Sequence, residues 1–210
     1  MIKNIVYNFA NKFLSKNNDT YFVNSILRKY KSKSYYLTLY LNSDENKKEY
    51  TNINIYDTNN LKFGITYREA KKKIAYKDSV VKKDLVNSLV LIKKTTVGDY
   101  PTKLVLHFYK NSLFLFNYTF SNLDKNDKNS IKKILKEKYL NKNTQFDFSS
   151  QTILDHAGNY IVIEDDVYFT INYLSSKHQF FKLLNEEEIE LNKKVKQNSE
   201  LKKIELRNKL

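Results

Sequence analysis

The chain has 210 residues, 41% of them hydrophobic and 29% charged, which fits one domain or one domain with a substantial appendage. It contains no cysteine, so disulfides, thiolate nucleophiles and cysteine-ligated metals are excluded, and no run approaches the roughly 18 apolar residues of a spanning helix. The formal charge of +14 invites a nucleic-acid reading, but only Arg28, Arg68 and Arg207 are arginine, the residue suited to bidentate phosphate or guanine contacts. A surplus of Lys, Asn, Tyr, Ile and Phe with few Gly and Pro is also what AT-rich coding produces without functional selection.

From the amino terminus, "MIKNIVYNFANKFLSK" lacks the continuous apolar centre and small-residue cleavage site of an export signal. Ile2, Ile5, Val6, Phe9, Phe13 and Leu14 recur at helical spacing, predicting an amphipathic helix and a cytoplasmic protein. "NDTYFVNSILRKY" reads as a second helix, with Asp19 or Thr20 as cap and Phe22, Ile26 and Leu27 as its buried stripe. "SYYLTLYLN" and "EYTNINIYD" alternate as strands and predict a hairpin around Asp44-Glu45-Asn46. In "LKFGITYREAKKKI", Thr66 followed by Glu69 is a capping box at a helix start.

Three strands follow, "SLVLIKKTTV", "TKLVLHFY" and "SLFLFNYTF", with Gly98 and Pro101 marking the first connection. "NDKNSIKKILKEKYL" predicts a helix capped from Asp127 or Asn129, and "QTILD", "YIVIE" and "VYFTINYL" predict three more strands. The tail from about Gln179 is helical by propensity, with sparse apolar residues at Leu184, Leu191, Val195, Leu201 and Ile204. Such a helix is a solvated appendage or a strip that packs on a partner. The fold expected is α+β, with antiparallel sheet built from two helix-plus-three-strand units. Two helices and a β-hairpin precede these units and a C-terminal helix follows. The segments are 1–60, a core at 61–175 and a helical tail at 176–210.

The helix entry at Gly64, Thr66 and Glu69, followed by the strand carrying Leu106 and Phe108, resembles the small lipoprotein of the bacterial outer-membrane barrel-assembly machine and the β-lactamase inhibitor protein. The pattern recurs from Asn126 to Leu174. The resemblance implies a helical layer on one face of an antiparallel sheet, and protein binding by the sheet.

Catalytic signatures are absent. His107, His156 and His178 form no H-x-x-x-H or H-E-x-x-H pair, so neither a metal nor another cofactor is expected. Asp155, Glu164, Asp165 and Asp166 suggest a metal-dependent nuclease only until the missing E-x-K lysine is noticed, and turn chemistry accounts for the aspartates. Three glycines leave no phosphate-cradling loop, and the serines lack a nucleophile elbow.

The segment "KLVLHFYKNSLFLFNYTF" is apolar at odd and even positions alike, whereas a half-exposed strand alternates. A two- or four-residue turn at Lys110-Asn111 sets Leu104, Leu106 and Phe108 against Asn117, Leu115 and Leu113. The opposite face then holds Val105, His107 and Tyr109 against Phe116, Phe114 and Ser112, with Lys103 near Tyr118. A three-residue turn scrambles these faces. The second face is either open to a partner or covered by another layer. The functional expectation is a non-catalytic protein-interaction module that binds another protein through His107, Tyr109, Phe114, Phe116 and Tyr118. The alternatives are a lysine-rich, sequence-tolerant nucleic-acid binder and a membrane-surface role for the first helix.

Overall fold

The structure, a computed structural model, describes residues 24, 27–56, 61–74, 79–86, 88–141 and 144–209. Its elements are α1 (Lys33–Glu45), β1 (Lys47–Thr51), α2 (Tyr67–Lys73), β2 (Ser79–Leu85), β3 (Ser88–Val97), β4 (Tyr100–Tyr109), β5 (Ser112–Phe120), α3 (Lys125–Tyr139), β6 (Gln151–Asp155), β7 (Asn159–Asp165), β8 (Phe169–Ser175) and α4 (Gln179–Lys209). The expected α+β class with a C-terminal helix holds. The first expected helix lies outside the described residues, and of the second only residues 24 and 27–30 are described, helical at 24 and 27–29 and a turn at Tyr30.

One eight-stranded sheet runs in the order β1-β6-β7-β8-β5-β4-β3-β2. Two units build its middle: α2 with the β3–β5 meander, and α3 with the β6–β8 meander. They join through their last strands, β5 and β8, in an antiparallel pair whose register sets Asn117 opposite Asn172. Each unit enters its helix through a capping box, Thr66 with Glu69 and Asp124 with Asp127. The second cap thus lies upstream of the expected one. Asp124 accepts from the backbone N–H of Asp127, which returns its carboxylate to the Asp124 N–H.

The sheet edges differ from expectation. Residues 34–42 lie in helix α1 and form no strand, so the hairpin is absent. Tyr36, Leu39 and Ser43 fall on one helical side and are buried, and Tyr40 stacks on Phe181 with ring centroids 5.2 Å apart. β1 instead pairs with β6 in parallel, Lys47 opposite Gln151 through Thr51 opposite Asp155. At the other edge β2, overlooked within a charged stretch, pairs antiparallel with β3.

Helices cover both sheet faces. On one, Ala70 and Ile74 with Ile131, Leu135 and Tyr139 pack over Leu104, Leu106, Phe108, Phe116 and Phe120. On the other, Leu27, Tyr30, Tyr36 and Leu39 with Phe180, Phe181 and Leu184 pack over Val90, Val105, Phe114, Leu115 and Leu174. The result is a three-layer arrangement of helices, sheet and helices. The helical layer implied by the resemblance is joined by a second on the opposite face. Residues of all three expected segments share the second core.

Candidate functional site

Lys110 and Asn111, with φ of 47° and 67°, form the two-residue turn that a tight hairpin with positive φ at both positions demands, and Tyr109 faces Ser112 across it. Beyond the turn the register departs from the expected one. Phe108 pairs with Leu113 as expected, but His107 pairs with Leu115, leaving Phe114 as an extra residue in a β-bulge. Val105 therefore opposes Asn117, and Leu104, not Lys103, opposes Tyr118.

The bulge separates the five expected contact residues. His107 and Phe114 turn to the second core, whereas Phe116 packs in the first with Tyr118 partly buried against it. Tyr109 is half-buried beside Phe180, 5.3 Å between centroids. His107, Phe114 and Phe116 are each 0% exposed. The aromatic sheet face is thus no open surface. The layer that covers it comes from residues 27–30, α1 and the first turns of α4, and Phe114 meets Phe180 at 4.1 Å.

Beneath that layer lies a polar seam. Asn117 Nδ2 donates to Tyr30 Oη at 2.8 Å and approaches His107 Nε2 at 3.5 Å, and Tyr36 Oη lies 3.1 Å from His107 Nδ1. These contacts fit a neutral imidazole that accepts at Nε2 and donates from Nδ1. Thr119 donates to Asn117 Oδ1 at 3.3 Å. Across the unit junction, Glu164 Oε2 accepts from Asn172 Nδ2 at 2.7 Å, Tyr35 Oη at 2.9 Å and Lys29 Nζ at 2.7 Å. Asn172 Oδ1, fully buried, has no hydrogen-bond partner among the described residues.

Burial, reinforced by Lys29, pushes the His107 pKa down to about 3. Burial raises Tyr30 and Tyr35, with the Glu164 carboxylate adding to both. The seam is therefore uncharged apart from its Lys29–Glu164 end. Asn172 is not singled out by the sequence, which marks Asn117 only as a strand-face residue and Glu164 only as one of an acidic group. The signal was there in the repeated "FNY" at 116–118 and "INY" at 171–173, each setting an asparagine amid strand hydrophobics.

Of the other acidic residues singled out in the sequence, Asp155 and Asp165 have structural partners. Asp155 accepts from the backbone of Ile55 at 2.8 Å and of Asn159 at 2.9 Å. Asp165 binds Lys128 at 2.7 Å and Lys132 at 2.9 Å. Burial works against its charge, but these ammonium groups hold its carboxyl below the usual range. His156 Nε2 meets Asn52 Oδ1 at 2.9 Å. His178 accepts from the Phe180 N–H at 3.2 Å, capping the start of α4. Among the described residues no group of three His, Cys, Asp or Glu side chains is placed to hold a metal ion. A cavity of about 410 Å³ beside the seam is lined by Tyr35, Thr38, Asn42, Lys132, Glu164 and Asp165, but its two carboxylates are those already bound by lysines.

α4 is buried at its start and exposed along its outer length. Phe180, Phe181 and Leu184 anchor its start in the second core. From Ile189 onward every described side chain is exposed. These include Ile189, Leu191, Val195, Leu201 and Ile204, each 46% or more exposed. At 1.5 Å per residue this outer part is about 30 Å long. No described helix is long and apolar enough to cross a membrane. No known protein family, curated protein or solved structure matches the chain.

Proposed function

We propose that the chain is a non-catalytic protein-interaction module whose contact element is the outer part of α4, not the aromatic sheet face. The observation that carries this reading is a long helix anchored at one end, with five large aliphatic side chains exposed beyond the anchor. Most helical stability in proteins comes from tertiary packing of an apolar face, and the described side chains of this outer part are exposed. Burying each aliphatic side chain against a partner contributes about 1.5–3 kcal/mol, so docking stabilises both the helix and the complex.

The test is capture from source-cell lysate with the intact chain and with the L191K/V195K/L201K variant, each with and without nuclease. All three side chains are exposed, so the folded body tolerates the changes. The reading expects proteins retained by the intact chain, lost by the variant and insensitive to nuclease. Equal retention by the variant contradicts it. A second reading, nucleic-acid binding, is favoured by one feature: α2 and α3 share a sheet face and carry Arg68, Lys71, Lys72, Lys125, Lys133 and Lys138. Nuclease-sensitive, salt-sensitive capture supports that reading.

A further inference from the structure

We infer that the partner of α4 is α4 of a second copy of this chain, aligned antiparallel. This deepens the proposed role of α4 as the contact element and rests on it. Leu191, Val195, Asn198 and Leu201 fall within about a third of the helix circumference, a sector they share with Lys194 and Lys202; Ile204 lies about 60° beyond Leu201, and all are exposed.

Beyond Asn185 the charges of α4 are segregated along its sequence. Glu186, Glu187, Glu188 and Glu190 come first; Lys193, Lys194, Lys196, Lys202, Lys203 and Arg207 follow, interrupted by Glu200 and Glu205. Parallel pairing of two copies sets acid against acid and base against base. Antiparallel pairing about a two-fold axis near residue 196 sets Leu191 opposite Leu201 and Glu190 opposite Lys202, bringing each acidic stretch beside the partner's basic stretch. The arrangement is isologous and closes as a dimer. Among the described residues, the folded body meets this acidic stretch through one ion pair, Lys33 with Glu187 at 2.6 Å, exposed on both sides, which screened surface pairing can readily replace.

The absence of cysteine makes the geometry testable in the full chain. Residue 195 lies one position from the axis, so V195C chains cross-link to one another under mild oxidation. Residues 191 of the two copies sit about 15 Å apart along the axis, beyond disulfide reach. L191C alone and L201C alone therefore stay uncross-linked, whereas their mixture cross-links. Sedimentation of the unmodified chain gives a mass twice that of one chain, falling to one with dilution or in L191K/V195K/L201K. Cross-linking of L191C alone together with L201C alone means parallel pairing and overturns the proposal. So does a single-chain mass at every concentration. A chain that stays single yet still captures another protein through α4 overturns self-pairing alone and leaves the interaction module standing.

Discussion

His107 shows how one buried side chain ties stability to pH. Folded, it stays neutral down to about pH 3; unfolded, it takes a proton near its ordinary 6.5. The unfolded chain therefore binds more protons across that window. The stabilisation from the neutral imidazole is complete above 6.5 and is lost as pH falls through the window. The slope approaches about 1.4 kcal/mol per pH unit. H107Q keeps a polar group toward Tyr36 and Asn117 but does not titrate. Urea midpoints measured from about pH 6.5 to 5 are expected to fall less steeply for H107Q than for the parent. His178, also lowered by burial, is present in both and cancels. Equal slopes contradict the buried, neutral assignment. That His107 is buried was not legible from its own position. It sits where an alternating strand points either to solvent or to a second layer, and the covering layer includes residues that read as a strand.

At the scale of elements, β3 to β8 were legible because apolar runs of strand length are set off by turn residues such as Gly98, Lys110-Asn111 and Gly158-Asn159. α1 was not. Its tyrosines and leucines occupy nearly every side, so the strand reading competed with the helical one until packing against Phe181 and the sheet chose. β1 finds its partner about a hundred residues away, a parallel pairing with no local signature. The bulge at Phe114 carries no glycine or other cue, yet it decides which side Phe116 faces. Phe114 and Phe116 now belong to opposite cores. F114A and F116A are each expected to cost about 3–5 kcal/mol, seen as a large fall in the denaturant midpoint. Full stability in either variant returns that residue to a surface.

For the whole molecule, the two-unit plan was legible as two helix-plus-three-strand patterns, but its consequence was not. Joining the units through β5 and β8 makes one broad sheet, and its second face acquires cover from the chain's early and late segments. The proposed contact element then moves from a face that read as open or covered to a tail that read as solvated or docking. The tail's sparse apolar spacing gave no reason to choose, because solvated and docking helices differ only in what lies opposite. The most direct measurement is amide hydrogen exchange on the full chain across a dilution series. Slow exchange is expected in β4 and β5 at every concentration. The part of α4 beyond Ile189 is expected to exchange quickly when dilute and to slow as concentration rises. Protection of that outer helix independent of concentration would mean that it packs on its own body, and would contradict its role as a contact element.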